Sequence, residues 1–578
     1  MQQSVKDKLQ LLTVRRLLLL TALSMLLAAP LAGWSGSTTA SLATLCVNPG
    51  GTGGCFSSIQ AAINAASPGD TINVAAGTYN EQVSINKTLT LHGAMAGIDA
   101  RTRIGSESVI THPDGPVQII ADNVVIDGFT IQGASNSPSD PPFAALGAGI
   151  WTNPSFSATN GGYQILNNIV QNNIIGIYLN NTGVLQTVLQ RNLLRNNNLT
   201  GPAGGRSIYS DLGLQNALID QNAFTGDADT GVFTAGDPGT QSNITVSNNS
   251  AVGERLVVFL NTTASQITGN TMTTAPQSSA ITIAGGNDNI TIRGNALIGN
   301  VNAGIRVQDA IGGPSPNTNV TIDHNRLVGN PVGGVELLAG GVSGILDAQN
   351  NWWGCNAGPG SGGCDAATGT GIDFNPWLVL GISAAPTSIA PGGMSAITAS
   401  LRRNSDGVDT SAQGFVPATT PAMFGATLGT MNPVGTTYTT GLAPSTFTAG
   451  GVGGPASISV TTDNQTVSTT VNIDVTIGFD VCIQDDSSKS VLKFNSFSGA
   501  YQFIDCKKGG TVTTGTATVT KIGCKIMLSS SVSKSGGATI SAVDNTCTFI
   551  ADATIKLSNG STVNIHDSDT RNSSCACP

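Results

Sequence analysis

The chain has 578 residues, of which 10% are charged, and a formal net charge of −9. Ordinary soluble domains carry about 25% charged residues. The shortage of Glu, Lys and Arg excludes long surface helices, and the abundance of β-branched and turn-forming residues points to an all-β protein. The negative balance offers no electrostatic footprint for nucleic acid and none for polybasic attachment to anionic lipid.

At the N-terminus, Lys6, Lys8, Arg15 and Arg16 precede an apolar run from Leu17 to Ala32, followed by small residues. This pattern predicts a signal peptide over residues 1–32, cleaved between 32 and 43, with an uncleaved anchor as the alternative. No later stretch is long and apolar enough to span a membrane, so no span is expected in the mature chain. Cysteine usage agrees with export. Cys46 and Cys55 form one group, Cys355 and Cys364 a second, and Cys482, Cys506, Cys524, Cys547, Cys575 and Cys577 a third. Each group is even, which predicts local disulfides Cys46–Cys55 and Cys355–Cys364 and leaves the pairing of the last six open. Zinc fits poorly, because paired C-x-x-C motifs are absent and His is scarce.

From Ser57 to Ala66 apolar residues fall at helical spacing (Ile59, Ala62, Ile63, Ala66), with Ser57 or Ser58 able to cap and Pro68-Gly69-Asp70 as the stop. Alternating strands follow over Thr71–Val74, Gln82–Ile85 and Leu89–Leu91. Asn123 to Gly133 reads as a further coil, and 134–160, rich in Pro, Ser and Ala, as an extruded loop. From Tyr163 to Trp353 one phrase then recurs eight times: ILNNIV, LQRNLL, IDQNAF, VSNNSA, ITGNTM, IRGNAL, IDHNRL and AQNNWW. Its asparagines are placed at Asn168, Asn192, Asn222, Asn249, Asn270, Asn295, Asn325 and Asn350, at steps of 21 to 30 residues. A repeat of that length with strand-like alternation is a solenoid of stacked coils, for which an N-terminal helix would cover the open end. The repeated Asn is expected to sit in a left-handed corner and to hydrogen-bond along the stack, amide to amide.

The helix, the segments SPGDTINVAAGTYNEQVSI and KTLTLHGA, and the repeats together resemble secreted right-handed parallel β-helix proteins of the pectin-lyase-like fold, over residues 44–380. That resemblance implies a right-handed solenoid, and enzymes of this fold cleave or modify acidic polysaccharides. The chain departs from their motifs. It lacks the adjacent-Asp and His-Gly motifs of polygalacturonase-type hydrolases, the motifs of pectin methylesterases and the Asp-Pro-His-Asp segment of alginate epimerases. No family catalytic residue is carried onto a numbered position.

Residues 381–478 alternate short Thr/Ser/Val strands with Gly/Pro turns and predict a β-sandwich similar to bacterial Ig-like modules. Residues 479–578 hold six cysteines and further strands, and predict a small disulfide-rich β module.

Four candidate sites follow. Counted from the repeat Asn, Arg293 and Asp323 share one column, and Arg306 and Glu336 another. Coils lie about 4.8 Å apart, so each pair can touch. They read as ion pairs between rungs or, alternatively, as catalytic residues. Asp227, Asp229 and Asp237 read as turn residues or, alternatively, as Ca²⁺ ligands, the one cofactor considered. Trp352 and Trp353 read as a C-terminal plug or as a sugar-stacking platform. The expected function is a secreted or cell-surface protein that binds a polysaccharide or another surface along its parallel face. A lyase or glycoside hydrolase on acidic glycans is the alternative, and a structural stalk or adhesin the second.

Overall fold

The computed structural model describes residues 42–136, 146–152, 160–276, 278–310, 315–452 and 454–474, together with the backbone of seven strands between 491 and 570. Three parallel sheets of thirteen, eleven and ten strands build a parallel β-helix, joined by one strand from each sheet per coil. In the coil that begins at Gln164, Gln164–Leu166 joins the thirteen-stranded sheet, Ile169–Gln171 the ten-stranded sheet and Ile175–Tyr178 the eleven-stranded sheet. Alternation puts every second residue inside. The column Ile150, Ile177, Ile208, Val232, Val257, Ile281, Ile305 and Val335 is in register across coils, and each side chain is at most 1% exposed. Burying such a side chain contributes about 1.5–3 kcal/mol, so this column is a main source of stability.

Two corners separate the ten-stranded sheet from its neighbours, and each carries a buried polar ladder. At the first, the carboxamide oxygens of Asn192, Asn222, Asn249, Asn270, Asn295 and Asn325 accept from the backbone N–H of the preceding rung at 2.8–3.0 Å. Each amide nitrogen donates back to a carbonyl of the preceding coil, as Asn249 does to Ile219 at 2.9 Å. Two details correct the sequence expectation. The last rung is Asn351, not Asn350, since Asn325 N donates to Asn351 Oδ1 at 3.0 Å. The left-handed residue is the one before each rung: Asn167, Arg191, Gln221, Asn248, His324 and Asn350 have φ of 50–55°. The rung asparagines are thus internal caps for the corner backbone, with at most 1% exposed surface.

The helix Ile59–Ala65 buries Ile59, Ala62 and Ile63 in the same core. Ser58 caps it by accepting from Ala61 N, and the Glu81 carboxylate accepts from Ile59 N at 2.7 Å and Gln60 N at 3.0 Å. An acid at a helix N-terminus satisfies orphan donors and faces the positive dipole end. Cys46–Cys55 and Cys355–Cys364 are disulfides. The stretch 134–160 is not all loop, because Ala148–Thr152 pairs into the eleven-stranded sheet between Val117–Ile119 and Ile175–Tyr178.

Beyond the solenoid, a four-stranded and a five-stranded sheet enclose one core that includes Ile397, Phe424, Phe447 and Ile458. Strand Leu378–Ala385 opens the first of these sheets. Trp352 belongs to this second core and Trp353 to the solenoid core. Neighbours on an extended backbone point to opposite sides, so this one dipeptide closes one core and seeds the next. Asp463, in the turn between strands Gly454–Thr462 and Gln465–Ile473, accepts from Trp352 Nε1 at 2.8 Å and pairs with Arg326. Seven sequential antiparallel strands span Val491 to Thr570. The signal peptide and the last six cysteines lie outside the described residues.

Asn249→Ala leaves the Asn222 N–H and the Ile219 carbonyl unpaired in a dry corner, and is expected to cost about 2–4 kcal/mol. Arg191→Gly, at a left-handed residue, is expected to change stability by less than about 1 kcal/mol. Urea unfolding of both variants checks this, and equal effects would remove the ladder as the corner's main constraint.

Candidate functional site

The charged columns do not converge. Arg293 and Asp323 pair on the thirteen-stranded sheet at 2.6 Å, whereas Arg306 and Glu336 pair on the eleven-stranded sheet at 2.7 Å. The thirteen residues from Arg293 to Arg306 carry the chain round two corners, so four residues in two neighbouring coils fall on two faces. Asp323 is further enclosed. His324 Nδ1 lies 2.6 Å from its Oδ1, and His324 Nε2 lies 3.1 Å from Thr410 Oγ1. Burial pushes the Asp323 carboxyl up, but the hydrogen bonds from His324 and Arg293 outweigh it and hold the group below the usual range. The Asp-His-Thr order looks like a relay to a hydroxyl nucleophile. Thr410, however, is buried and donates to the Arg402 carbonyl at 3.1 Å, so the trio ties the second core to the solenoid.

Trp352 and Trp353 have no exposed surface and offer no ring face to a sugar, which corrects the platform reading. The three acids 227, 229 and 237 do not act together either. Asp227 is buried at a corner, Asp229 is paired with Arg206 and Arg255, and Asp237 is exposed beyond strand Thr230–Thr234. Among the described residues no group of three or more His, Cys, Asp or Glu side chains is placed to hold a metal ion.

What the structure brings together instead lies at the second corner, five residues after each first-ladder rung. There Asn173 Nδ2 donates to Asn197 Oδ1 at 2.9 Å, and Asn300 Nδ2 to Asn330 Oδ1 at 2.7 Å. Between these stretches the rungs are Asp227, Glu254 and Ala275. Asp227 accepts from Asn197 N at 2.5 Å and from the Ser207 hydroxyl. Having no side-chain amide, its carboxylate donates nothing to the next rung. Glu254 is 1% exposed, and neither of its oxygens has a hydrogen-bond partner. Burial first, then the Asp227 charge, push the Glu254 carboxyl up to about 10; the Asp227 backbone N–H faces it and offsets this only in part, without the alignment of a full hydrogen bond. Burial likewise raises Asp227 to about 6, against the hydrogen bonds from Ser207 and Asn197.

A cleft of about 260 Å³ opens at this break, lined by Asp229, Glu254, Arg255, Ala275, Pro276 and Ser278 among others. The eleven-stranded sheet also carries an outward column of aromatic residues: Trp151, Tyr178, Tyr209 and Phe233. The Tyr178 and Tyr209 rings stack at 5.8 Å, and Phe233 lies 5.8 Å from Tyr209. Both tyrosine hydroxyls donate to Asp211, at 2.6 and 3.1 Å. Trp151 and Tyr178 are buried, while Tyr209 and Phe233 remain half-buried. The Arg206 guanidinium sits 5.0 Å from the Tyr209 centroid and 4.4 Å from that of Phe233. It is also within 3.1 Å of Asp229, although its Nε is not aligned for a hydrogen bond. Sequence reasoning found Asp227 and Asp229 but missed Glu254, Arg206 and the aromatic column. The signal for Glu254 was its offset of five from the repeat Asn, a column not followed down the chain.

The folded chain keeps a proton on Glu254 between its ordinary value of 4.5 and about 10, where the unfolded chain has lost it. Any penalty from this group is therefore absent at acid pH and grows as pH rises through that window. Relative to Glu254→Gln, the native protein is expected to lose up to about 1.4 kcal/mol per pH unit between about pH 5 and 8, read from paired urea midpoints. Parallel profiles would show that Glu254 is not protonated in the fold.

Residues 206–352 match the family described as right handed beta helix region. No curated protein matches the sequence. Among solved structures, the chain is similar to an alginate lyase from Paenibacillus sp. str. FPU-7, at 17% identity and TM-score 0.29, over 57% of this chain and 99% of that one. It is also similar to the A-module of the mannuronan C-5 epimerase AlgE6 from Azotobacter vinelandii, at 15% identity and TM-score 0.30, over 55% and 93%. Tailspike protein 2 of the Escherichia coli O157:H7 bacteriophage CAB120 aligns at 11% identity and TM-score 0.27, over 90% and 68%. The matched segment lies within the three parallel sheets, which have the fold of a right-handed parallel β-helix.

Proposed function

We propose that the protein binds a glycan on the outer face of its eleven-stranded sheet, around Tyr209, Phe233, Arg206 and Arg255. One observation carries this. Two half-buried rings lie in register on adjacent coils, bridged by a guanidinium and bordered by a cleft. Aromatic faces take up the apolar faces of sugars, and Arg and Asp beside them supply directed hydrogen bonds. The rigid sheet holds these groups at fixed spacing, which lowers the ordering cost of binding.

The rest of the chain supports that face. The leader 1–32 directs export, and the disulfides suit an oxidising extracellular or cell-surface setting. The solenoid extends over 44–380, with Ile59–Ala65 as its N-terminal cap. Residues 381–478 form an Ig-like spacer and 479–578 a disulfide-stapled module.

The test is an affinity screen of the purified protein on neutral, acidic and amino polysaccharides, with product analysis in the same samples. Tyr209→Ala and Phe233→Ala are each expected to weaken binding about threefold to tenfold without unfolding the protein. Unchanged affinity in both variants would move the binding face elsewhere. Accumulation of reducing ends or unsaturated products would convert the reading to a hydrolase or lyase.

A further inference from the structure

We propose that the cleft at the broken second ladder is a binding site for a primary ammonium group, presented by a hexosamine unit of the glycan. The inference rests on the proposed glycan face and names the class of sugar it takes.

The carrying observation is a mismatch of donors and acceptors in a dry corner. Elsewhere along this ladder each rung offers an amide N–H₂ to the oxygen of the next, as Asn173 does to Asn197 and Asn300 to Asn330. At Asp227 the donor is replaced by a carboxylate, and the following rung is another acid. Asp227 is satisfied from Asn197 and Ser207, but at 1% exposure neither Glu254 oxygen has a donor in hydrogen-bond alignment. Beyond Glu254 the rung is Ala275, whose methyl supplies no polar partner and leaves open the space an Asn would fill. Glu254 and Ala275 both line the cleft, and the two Glu254 oxygens lie buried within its wall.

The charge around the gap selects the ligand. Asp227, Asp229 and Glu254 oppose Arg206 and Arg255, and both arginines are committed to Asp229. With Asp227 and Glu254 both ionised the cluster carries one net negative charge, which a single cationic donor neutralises. An ammonium group has three donors and no acceptor, the complement of a pair of carboxylates. An N-acetylated or hydroxyl sugar would bring fewer donors and no charge. The cleft, at about 260 Å³, suits one small ring; Phe233 follows its lining residue Asp229 on the same coil, and Tyr209 lies one coil before. In the empty site Glu254 holds a proton. When the ammonium enters, that proton leaves to solvent and Glu254 becomes the counter-ion. Binding then releases protons, and affinity rises with pH while the amine stays charged.

The test is calorimetric titration of the full exported chain with glucosamine oligosaccharides and with their N-acetylated counterparts between about pH 5 and 6.5. The free amines are expected to bind at least about tenfold more tightly, with affinity rising up to about tenfold per pH unit. Glu254→Gln keeps the side-chain volume and removes the counter-ion, and Ala275→Asn refills the rung. Each is expected to abolish the preference while melting at or above the temperature of the native chain. Equal binding of the two series, or a preference that survives Glu254→Gln, overturns the proposal. Equal binding that is still lost on Tyr209→Ala would leave the glycan face standing without it. A melting-temperature rise with Ca²⁺ alone that Glu254→Gln removes would assign the cleft to a divalent cation instead, and would likewise overturn it.

Discussion

The fold depends on satisfying the backbone at its corners. A coil must turn sharply between sheets, and at each turn an N–H would otherwise be stranded in a dry core, at a cost of about 1–3 kcal/mol. The carboxamide of the next coil accepts that N–H, and its amide returns a hydrogen bond to the coil before, as Asn270 does with Asn249 N and the Val246 carbonyl. Each rung therefore holds its neighbour, and register passes from coil to coil without relying on sequence-distant contacts. The left-handed residue just ahead of each rung makes the bend, and the rung fills it. Because the two tasks fall on adjacent residues, the bend tolerates Asn, Gln, Arg, His or Gly, whereas the rung beside it is Asn in every repeat.

That division explains where function can reside. A rung that departs from Asn disturbs the stack, so acids at two consecutive rungs of the second ladder are a costly exception. Asp227 breaks the donor chain, Glu254 is left without an aligned donor, and Ala275 lines the cleft. The outer face of the same coils carries half-buried rings and paired arginines. The broken inner ladder and the outer polar and aromatic groups thus coincide near the strands Arg206–Ser210, Thr230–Thr234 and Arg255–Phe259. In contrast, the conspicuous charges at 293–336 are paired off and serve the register of the coils and the junction with the second core.

The junction itself turns on one dipeptide. Trp353 fills the last solenoid coil, and Trp352 points the other way into the next core, held by Asp463 together with Arg326. A buried ion pair of this kind contributes little net stability, yet removing one partner is expensive. It fixes the orientation of the second core on the solenoid more than it strengthens the whole.

The amino-acid sequence by itself determined the solenoid, its coil register and the two short disulfides. Those features are local or periodic, and a period of 21 to 30 residues puts equivalent positions on top of one another. It even placed Arg293 against Asp323 and Arg306 against Glu336 correctly. Only the tertiary structure decided that these pairs lie on different faces, because the angle through which thirteen residues turn depends on corner geometry that periodicity does not encode. It also decided that Trp352 and Trp353 are buried in separate cores, and that Asp227 is joined by Glu254 rather than by Asp237. The sequence lists acids and aromatics in order along the chain, but only the turn of each coil brings Asp229, Glu254, Arg255 and Ala275 to one opening.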